Sequence, residues 1–372
     1  MIVGVPREVK DNEFRVAATP EGVQEFTRAG HDVVVEAGAG EGSALPDGSF
    51  VAAGGRILPD ADAVFAEADL ILKVKEPQPE EYGRIREGQL LFTYLHLAAD
   101  EGLTRFLLER RVSALAYETV ELADGRLPLL APMSEIAGRM APQEGARNLE
   151  RPAGGRGVLM GGAAGVSPAR VVVLGAGMAG MNAAWISAGM EASVAIVDRN
   201  IDRLRTVDQL QRGRIETFAS SALAIERLVP EADLVIGAVL VAGARAPHLV
   251  TEDLVRAMRP GSVIIDISID QGGCVETAHV TTHSAPTYVV HDVVHYCVGN
   301  MPGAVPRTST YALTNVTLPY ALAIAGRGLE EALRRDPALR PGVNAHAGAL
   351  TNRGVAEAHG LSFSELSAVL PL

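Results

Sequence analysis

Three glycines and one aspartate have the spacing of a dinucleotide-binding motif. Gly175, Gly177 and Gly180 follow directly on the apolar run Val171–Leu174, a pattern that predicts a strand, a tight turn and a helix. The first glycine permits the turn, the second lets the backbone approach a pyrophosphate, and the third lets the helix pack on the strand. The next predicted strand ends at Asp198, whose carboxylate can bind both ribose hydroxyls and repel a 2′-phosphate. The motif therefore predicts NAD rather than NADP as the cofactor.

Two alternatives stay open for this motif. Arg199 and Arg203 follow Asp198 closely and could weaken the preference for NAD. A glycine-rich turn in an α/β fold that binds no nucleotide is the other interpretation.

A second set of polar residues follows other apolar runs. Arg15 comes after the first predicted strand, Lys75 and His96 end two further ones, and Asp270 follows the run Val263–Ile269. Ligands of an open parallel sheet bind beyond the carboxyl ends of its strands, so a folded sheet could bring these groups to one cleft. A guanidinium grips a carboxylate with two hydrogen bonds, an ammonium binds a carboxylate or a carbonyl oxygen, and an imidazole transfers protons near neutral pH.

The chemistry of this second set has a simpler alternative for each member. A single arginine or lysine is usually a solvated surface charge, and we expect this of Lys73. A single histidine at a strand end more often has a structural partner than a catalytic role.

Strands and helices must alternate along the chain to position these groups. The first part contains helical stretches at 20–29 and 100–110, and strands are predicted at Ile2–Val5, Val33–Glu36, Leu70–Lys75, Leu90–His96 and Ser113–Tyr117. The second part has strands predicted at Val171–Leu174, Ser193–Asp198, Ile215–Phe218, Leu234–Val239, Ser262–Ile267 and Tyr288–Val290. This alternation predicts an α/β fold with two doubly wound, parallel sheets.

A long helix is expected between the two series. It would cover residues 134–150, with Ser134 as its cap and a kink at Pro142. From about Arg307 the chain reads as mostly helical, and we expect this tail to return to the first domain. The predicted domains are 1–128 plus 307–372 for substrate and 129–306 for a Rossmann NAD-binding domain inserted into the first.

The composition excludes several classes of function. A net charge of −12 over 372 residues does not suit nucleic-acid binding, which needs a basic surface. Residues 171–190 carry no formal charge over a membrane-spanning length, but the glycine motif explains this stretch better, and we expect no membrane segment. Two cysteines, Cys274 and Cys297, form no disulfide framework, so free thiols in a reducing cytoplasm are expected.

A catalytic metal is not expected either. His279 with His283 and His291 with His295 are four residues apart, but their segments look extended, where four residues span roughly 13 Å. Zinc needs ligands at about 2 Å, so neither pair can chelate it alone.

The whole chain resembles the family of alanine dehydrogenases and transhydrogenase alpha subunits. The segments that carry the resemblance are VGVPREVKDNEFRVAATPEGV, LILKVKEP, LLFTYLHLA, APMSEIAGRMA, GGRGVLMGG, SIDQGGCVET and HYCVGNMPGAVPRTSTYALTN. The resemblance implies an NAD-dependent enzyme that interconverts L-alanine with pyruvate and ammonium. It also implies a discontinuous substrate domain and a homohexamer.

The resemblance further implies roles for individual positions. Arg15 and Lys75 match the substrate-binding pair, His96 the acid–base residue, and Asp270 the second catalytic residue. Positions that match cofactor contacts, together with the motif glycines Gly175, Gly177 and Gly180, are Ser134, Met178, Ala179, Asp198, Arg203, Ser220, Val239, Leu240, Ile267, Ser268, Ile269, Asp270, Val298, Gly299, Asn300 and Met301. His279 stands where relatives have an arginine that contacts cofactor phosphate, so it is left out of the site.

Two other functions remain as alternatives. One is the soluble NAD-binding subunit of a transhydrogenase, which works with a membrane partner. The other is an NAD-sensing module without catalysis, which would keep the glycine motif and lose the substrate residues.

Overall fold

The structure, a computed structural model, describes residues 1–239 and 247–371. The chain divides into two compact units. Unit 1 comprises Met1–Met133 and Gly303–Leu372, and unit 2 comprises Ser134–Pro302.

Unit 1 is built on an eight-stranded sheet. Its strands are β1 Ile2–Val5, β2 Asp32–Glu36, β3 Arg56–Leu58, β4 Leu70–Leu72, β5 Leu90–Thr93, β6 Ser113–Ala116, β14 Val343–His346 and β15 Ala349–Leu350. The order is β15-β14-β6-β5-β4-β1-β2-β3, with β1 to β6 parallel and β14 antiparallel to both neighbours. The chain therefore winds one way from β1 to β3 and the other way from β4 to β6.

Helices cover the sheet of unit 1. They are α1 Pro20–Arg28, α2 Asp47–Ala52, α3 Ala61–Glu67, α4 Glu101–Glu109, α10 Pro306–Arg327, α11 Leu329–Arg335, α12 Arg353–His359 and α13 Leu366–Val369. One core cluster joins Phe65 of α3, Leu91 of β5 and Leu107 of α4, each at most 1% exposed. Truncating a buried phenylalanine to alanine typically costs about 3–5 kcal/mol, so this core fixes the sheet that carries the candidate residues.

Unit 2 has a seven-stranded sheet in the dinucleotide-binding order. Its strands are β7 Arg170–Leu174, β8 Ser193–Asp198, β9 Ile215–Ala219, β10 Leu234–Gly237, β11 Val263–Asp266, β12 Thr287–Val290 and β13 Val293–Tyr296. The order is β12-β13-β11-β10-β7-β8-β9, and only β12 is antiparallel to its neighbour among the described strands of this sheet. Without β12, this is the arrangement of a Rossmann sheet.

The remaining helices are α5 Ala131–Asn148, α6 Met178–Gly189, α7 Ile201–Gln211, α8 Ala222–Leu228 and α9 Glu252–Ala257. The core of unit 2 contains Val172, Val235 and Ile264 from three adjacent strands. Strands buried on both faces are continuous apolar runs, which is why their sequence was easy to interpret.

The sequence located most of these elements. Strands β1 and β8 are confirmed residue for residue, and nine other predicted strands are confirmed with shifts at their ends. The sequence missed β3, β13, β14 and β15.

Two predicted strands are too long by three residues. Strand β4 ends at Leu72 and β5 at Thr93, three residues before Lys75 and His96. Beyond these ends, backbone amides donate hydrogen bonds to side-chain carboxylates. The Val74 amide donates to Glu8, and the His96 amide donates to Glu118. Lys75 and His96 therefore lie in turns beyond the sheet.

The helix predicted for 134–150 begins earlier than expected. Helix α5 begins at Ala131, with Pro132 suited to its first turn, so the prediction that Ser134 caps the helix is wrong. Pro142 lies inside the helix as expected.

None of the helices in residues 1–239 and 247–371 combines the length and the apolar composition that spanning a membrane requires. Within the same ranges, no group of three His, Cys, Asp or Glu side chains is arranged to hold a metal ion. Both cysteines are buried free thiols.

Candidate active site

Both sheets reverse their winding at a defined point. In unit 1 this switch lies between β1 and β4, and in unit 2 between β7 and β10. Ligands of doubly wound sheets bind beyond the carboxyl ends of the strands at this point. The turns after β4 and β5 carry Lys75 and His96, and the turn after β7 carries the glycine motif. Each unit therefore presents its candidate residues at the expected edge of its own sheet.

The glycine loop of unit 2 has the geometry that a pyrophosphate requires. Gly175 has φ +102°, and a Cβ atom there would lie 2.5 Å from the carbonyl oxygen of Ala238. A Cβ atom on Gly180 would lie 1.8 Å from the carbonyl oxygen of Gly175, so α6 can pack this closely only on glycine. Gly177 precedes α6 without a side-chain cap, and the helix begins at Met178 and Ala179. A helix N-terminus with uncapped amides favours phosphate, so the loop fits the dinucleotide.

The Asp198 carboxylate lies beside the same loop. It ends β8, is 7% exposed, and accepts hydrogen bonds from the backbone amides of Ala176 at 2.6 Å and Asn200 at 2.7 Å. Arg203 Nη1 lies 3.8 Å from it. Carboxylate oxygens have about four acceptor sites, so two amides fix the group and leave capacity for ribose hydroxyls. The carboxylate thus has the place and the charge that favour NAD over NADP.

The other predicted cofactor residues of unit 2 occupy turns after neighbouring strands. Ser220 follows β9, and its amide donates to the carbonyl oxygen of Asp198 at 3.0 Å. The Val239 amide donates to Ser268 Oγ at 2.8 Å. Leu240 lies outside the described residues. Ser134 lies in the first turn of α5.

Asp270 joins two of these turns. It lies in the 3-10 turn Ile267–Gln271 after β11, with Ile267, Ser268 and Ile269. Its Oδ2 accepts a hydrogen bond from the Asn300 amide at 3.4 Å, and Asn300 is in the left-handed region with φ +64°. The segments Ile267–Asp270 and Val298–Met301, which include Gly299, are therefore in direct contact.

Lys75 and His96 meet in unit 1. Lys75 Nζ lies 3.4 Å from His96 Nε2; Lys75 is buried at 8% exposure, and His96 is exposed. An ammonium group only donates hydrogen bonds, so Nε2 is the acceptor in this contact and the proton of the neutral ring lies on Nδ1. The pair offers a cation for an anionic ligand next to a group that can take up a proton.

The Tyr94 ring packs against the His96 imidazole. The rings of Tyr94 and His96 are stacked with centroids 5.9 Å apart, and the Tyr94 hydroxyl donates to the carbonyl oxygen of Leu129 at 2.6 Å. Burial raises the pKa of Tyr94, and the charge of Arg15 acts against that rise. The phenol therefore stays protonated and keeps the hydrogen bond that fixes it.

The backbone of His96 is held in an unusual conformation. His96 has φ +49° and ψ +34°, in the left-handed region that costs a non-glycine residue roughly 1–2 kcal/mol. The Glu118 carboxylate accepts hydrogen bonds from the amides of Leu95 at 3.1 Å and His96 at 2.6 Å. Charge-assisted hydrogen bonds of this kind are strong, and strained backbone persists only where its surroundings determine it. Glu118 therefore positions the imidazole.

Arg15 is buried and paired with Glu13. The Arg15 side chain is 2% exposed. Its Nε donates a hydrogen bond to Glu13 Oε1 at 2.6 Å, and its Nη2 pairs with Glu13 Oε2. The third nitrogen, Nη1, lies 2.9 Å from Met133 Sδ. Burial lowers the pKa of Arg15, but Glu13 more than compensates, so its pKa lies above the ordinary value. Glu13 therefore occupies one edge of the guanidinium and keeps Arg15 charged in its buried position.

Lys73 is not the solvated charge that the sequence suggested. It is 0% exposed and pairs with Glu8 at 3.0 Å and Glu81 at 2.9 Å. Burial lowers the pKa of Lys73, but the two carboxylates raise it above its ordinary value, so it stays charged. Glu8 also accepts from the Val74 and Lys75 amides at 2.6 and 3.4 Å, which fixes the turn that carries Lys75.

Sequence reasoning missed Glu8, Glu13 and Glu118. The signal for the first two was the density of charge in residues 7–15, directly after a buried strand. Glu118 follows the carboxyl end of β6, next to the strand that leads to His96. Acidic residues predicted at the same sheet edge as candidate cations therefore indicate groups that position those cations.

A cavity of about 290 Å³ in unit 1 is a poor candidate for the substrate. It lies between α1 and α10, and its charged lining residues are Glu21 and Glu25. Two carboxylates would repel an anionic substrate.

The strand order and the glycine loop of unit 2 are those of a dinucleotide-binding protein, and the Lys75–His96 pair of unit 1 places a cation beside a group that transfers protons. These features define an α/β protein of the dinucleotide-dependent dehydrogenase class. Comparison with known proteins narrows the class. The family models "Alanine dehydrogenase/PNT, N-terminal domain" and "Alanine dehydrogenase/PNT, C-terminal domain" match residues 4–137 and 141–353. The chain belongs to the alanine dehydrogenase/PNT family.

Relatives and solved structures agree with this assignment. The chain is 58% identical over 370 residues to alanine dehydrogenase of Mycobacterium tuberculosis (strain H37Rv) and 54% identical to that of Halomonas elongata, with 100% of each chain covered. A solved structure named L-alanine dehydrogenase covers 97% of this chain and 99% of its own at 50% identity, with a TM-score of 0.93. A transhydrogenase structure from Sinorhizobium meliloti covers 95% and 99% at 26% identity, with a TM-score of 0.80.

Proposed function

We propose that this chain is an NAD-dependent L-alanine dehydrogenase, which oxidises L-alanine to pyruvate and ammonium and also catalyses the reverse reaction. The observation that carries the proposal is the contact between Lys75 and His96, at 3.4 Å, at the ligand-binding edge of the unit 1 sheet. Full-length relatives named alanine dehydrogenase at 51–58% identity support it.

Lys75 and Arg15 bind the substrate carboxylate in this proposal. Lys75 carries an ammonium group in a buried turn, and Arg15 carries a buried guanidinium next to Glu13. A chain with a net charge of −12 repels anions at long range, so these local cations must provide the attraction. Glu13 offsets the desolvation of the buried Arg15, and the Glu76 carboxylate interacts electrostatically with Lys75.

His96 acts as the general acid–base. Once the Lys75 ammonium has turned from Nε2 to the substrate carboxylate, Nε2 accepts a proton from the water that adds to the iminium form of the substrate, which gives the carbinolamine. The ring then returns the proton to the amino group of the carbinolamine. As the C–N bond breaks and ammonia leaves, the ring accepts the hydroxyl proton and the carbonyl of pyruvate forms. Proton transfer by a positioned side chain contributes about 10²- to 10⁴-fold to a rate.

Unit 2 provides the cofactor site. Bound NAD would supply the acceptor for the hydride that leaves the α-carbon of alanine. The glycine loop and Asp198 hold the pyrophosphate and the ribose, and the turns Ile267–Asp270 and Val298–Met301 surround the nicotinamide end. Asp270 orients the attacking water. The remaining cofactor contacts are Ser134, Arg203, Ser220, Val239 and Leu240.

We further propose a homohexamer that works in the cytoplasm. The family resemblance supports the hexamer, and two buried free thiols suit a reducing compartment. The predicted limits of the substrate domain, 1–128 plus 307–372, and of the cofactor domain, 129–306, also remain proposals. Light scattering during gel filtration measures the assembly, and a mass of one or two chains would exclude the hexamer.

A spectrophotometric assay of NAD reduction tests the function. The purified chain alone, with no partner protein, is given NAD and L-alanine, glycine, L-serine or L-valine in turn. We expect NADH to form with L-alanine and far less with L-valine. Turnover that requires a membrane partner would favour a transhydrogenase subunit, and NADH binding without turnover of any amino acid would favour a sensing module.

A further inference from the structure

The Asp266 carboxylate lies at the centre of the turn that carries Asp270. Asp266 ends β11 and is 0% exposed. Its Oδ1 accepts the Ser268 amide at 2.9 Å, and its Oδ2 accepts the amides of Cys274 at 2.7 Å and Val275 at 3.2 Å. One carboxylate thus binds amides on both sides of Asp270.

Neighbouring backbone packs closely around this carboxylate. A Cβ atom on Gly273, where φ is +75°, would lie 2.9 Å from Asp266 Oδ2. A Cβ atom on Gly237 would lie 2.4 Å from Cys274 Sγ and 3.1 Å from Asp266 Oδ1. Protein interiors are packed too densely for such a group to shift without moving its neighbours. The conformation of the turn therefore depends on these three hydrogen bonds.

The turn in its own right fixes two further segments. Ser268 Oγ accepts the amide of Val239, after β10, at 2.8 Å. Asp270 Oδ2 accepts the amide of Asn300, after β13, at 3.4 Å. A displaced turn would therefore displace segments after three strands of the unit 2 sheet.

We propose that Asp266 is a positioning residue for the dehydrogenase reaction, holding the Ile267–Gln271 turn so that Asp270 and its neighbours keep their places at the cofactor site of unit 2. The inference rests on the proposed function. Asparagine has the same shape but cannot replace the aspartate. Its amide NH₂ would face either the amides of Cys274 and Val275 or that of Ser268, donor against donor.

Asp233 provides a matched control in the same sheet. It is 6% exposed and precedes β10 at the opposite, amino-terminal edge of the strands. Its carboxylate accepts the Arg170 amide at 2.9 Å and Arg156 Nη1 at 2.9 Å. Asp233→Asn therefore also replaces a buried carboxylate that binds a backbone amide, away from the candidate site.

The experiment compares the parent with Asp266→Asn and Asp233→Asn. It measures kcat and KM for pyruvate, the Kd for NADH by fluorescence, the Tm, and hydrogen exchange at the amides of Ser268, Cys274 and Val275. For Asp266→Asn we expect kcat to fall by about tenfold or more, since small displacements of reacting groups are costly. We also expect weaker NADH binding and faster exchange at the three amides. For Asp233→Asn we expect a lower Tm with kcat within about twofold of the parent.

Two results would overturn the proposal. One is an Asp266→Asn protein with parental kcat and parental protection of the three amides. The other is an equal loss of kcat in Asp233→Asn, because the effect would then come from general destabilisation of the sheet.

A second variant covers the case in which Asp266→Asn does not fold. Gly273→Ala keeps the carboxylate and crowds its Oδ2, so it should lower kcat with faster exchange at Cys274; parental values for both would overturn the proposal. If the parent shows no alanine-dependent NADH formation, the proposed function fails. In that case NADH affinity and amide exchange still test whether Asp266 holds the turn.

Discussion

Lys75 Nζ lies 3.4 Å from His96 Nε2, although the two residues are 21 positions apart in the chain. They meet because β4 and β5 are parallel neighbours and end at the same edge of the sheet. Two carboxylates fix the turns that carry them: Glu8 accepts the amides of Val74 and Lys75, and Glu118 accepts the amide of His96. The pair is therefore set up by acidic side chains that take no part in the proposed chemistry.

Lys73 and Lys75 should respond differently to the same substitution. Lys75→Met removes the proposed carboxylate ligand, so kcat/KM for pyruvate should fall about 10- to 100-fold, the ratio expected for one lost charged hydrogen bond. Lys73→Met leaves Glu8 and Glu81 without their buried cation and should lower the free energy of unfolding by about 3–5 kcal/mol. Steady-state kinetics and urea unfolding measure the two effects. Unchanged pyruvate kinetics in Lys75→Met would remove this residue from the substrate site.

Arg15 is best tested by a change that keeps its charge. Arg15→Lys can still pair with Glu13 but cannot bind two carboxylates at two edges. We expect the KM for pyruvate to rise about tenfold, with NADH affinity unchanged. Arg15→Ala would also raise this KM, but it removes the buried guanidinium that pairs with Glu13 and so lowers stability too. A parental KM in Arg15→Lys would point to another anchor for the carboxylate.

Glu118 should control turnover through the His96 backbone. Glu118→Ala removes both hydrogen bonds that hold the left-handed conformation, so kcat should fall about tenfold while the KM for pyruvate changes little. Glu118→Gln keeps one acceptor oxygen and should restore part of kcat. The exposed Glu121 serves as the control, since Glu121→Ala should leave kcat unchanged. Equal kcat in the two alanine variants would show that Glu118 does not position His96.

His295 should make the stability of unit 2 depend on pH. The ring is 0% exposed, its Nδ1 lies 3.0 Å from the Val293 carbonyl oxygen, and Thr277 Oγ1 lies 2.8 Å from Nε2. Burial lowers its pKa; the hydrogen bond to the Val293 carbonyl acts against this, and the charges of His279 and His291 add to the lowering, so the pKa lies below its ordinary value. The unfolded chain therefore takes up the proton first, so the contribution of His295 is complete above about pH 6.5 and is lost as the pH falls below that value.

Thermal unfolding from pH 8 to pH 5.5 measures this effect. The parent should lose up to about 1 kcal/mol over this range through His295. His295→Gln should lose correspondingly less when both proteins are referred to pH 8. The same pH slope in parent and variant would contradict the assignment.

The sequence predicts a strand or helix when the residues of that element alone carry a recognisable pattern. Strands β1 and β8 were located exactly because each is a short buried apolar run with a polar boundary. Strand β3 is three residues at a sheet edge, and β13 contains the buried His295, so neither has a continuous apolar pattern. Strand β14 pairs with β6 across more than 220 residues of chain, and nothing local signals such a pairing.

The candidate site was predictable for a similar reason. The close packing at Gly175 and Gly180 and the position of Asp198 beside the glycine loop are local features that follow from the spacing of these residues, and their roles toward a cofactor stay a prediction. The roles of Glu118 and Asp266 depend on amides brought to them by the fold, and a sequence records no such contact. Lys73 was misinterpreted because a lysine's partners, here Glu8 and Glu81, are invisible until the strands are placed.

His96 is the residue on which the proposed function depends most, and one comparison tests it directly. NADH oxidation at saturating pyruvate and ammonium is followed for the parent, His96→Ala and the control His346→Ala. The His346 ring contacts Ser113 at the beginning of β6, at the edge of the sheet opposite to the one that carries His96. We predict that His96→Ala turns over about 10²- to 10⁴-fold more slowly, with NADH affinity unchanged and the control near the parent. A His96→Ala protein within a few-fold of the parental rate would contradict the account.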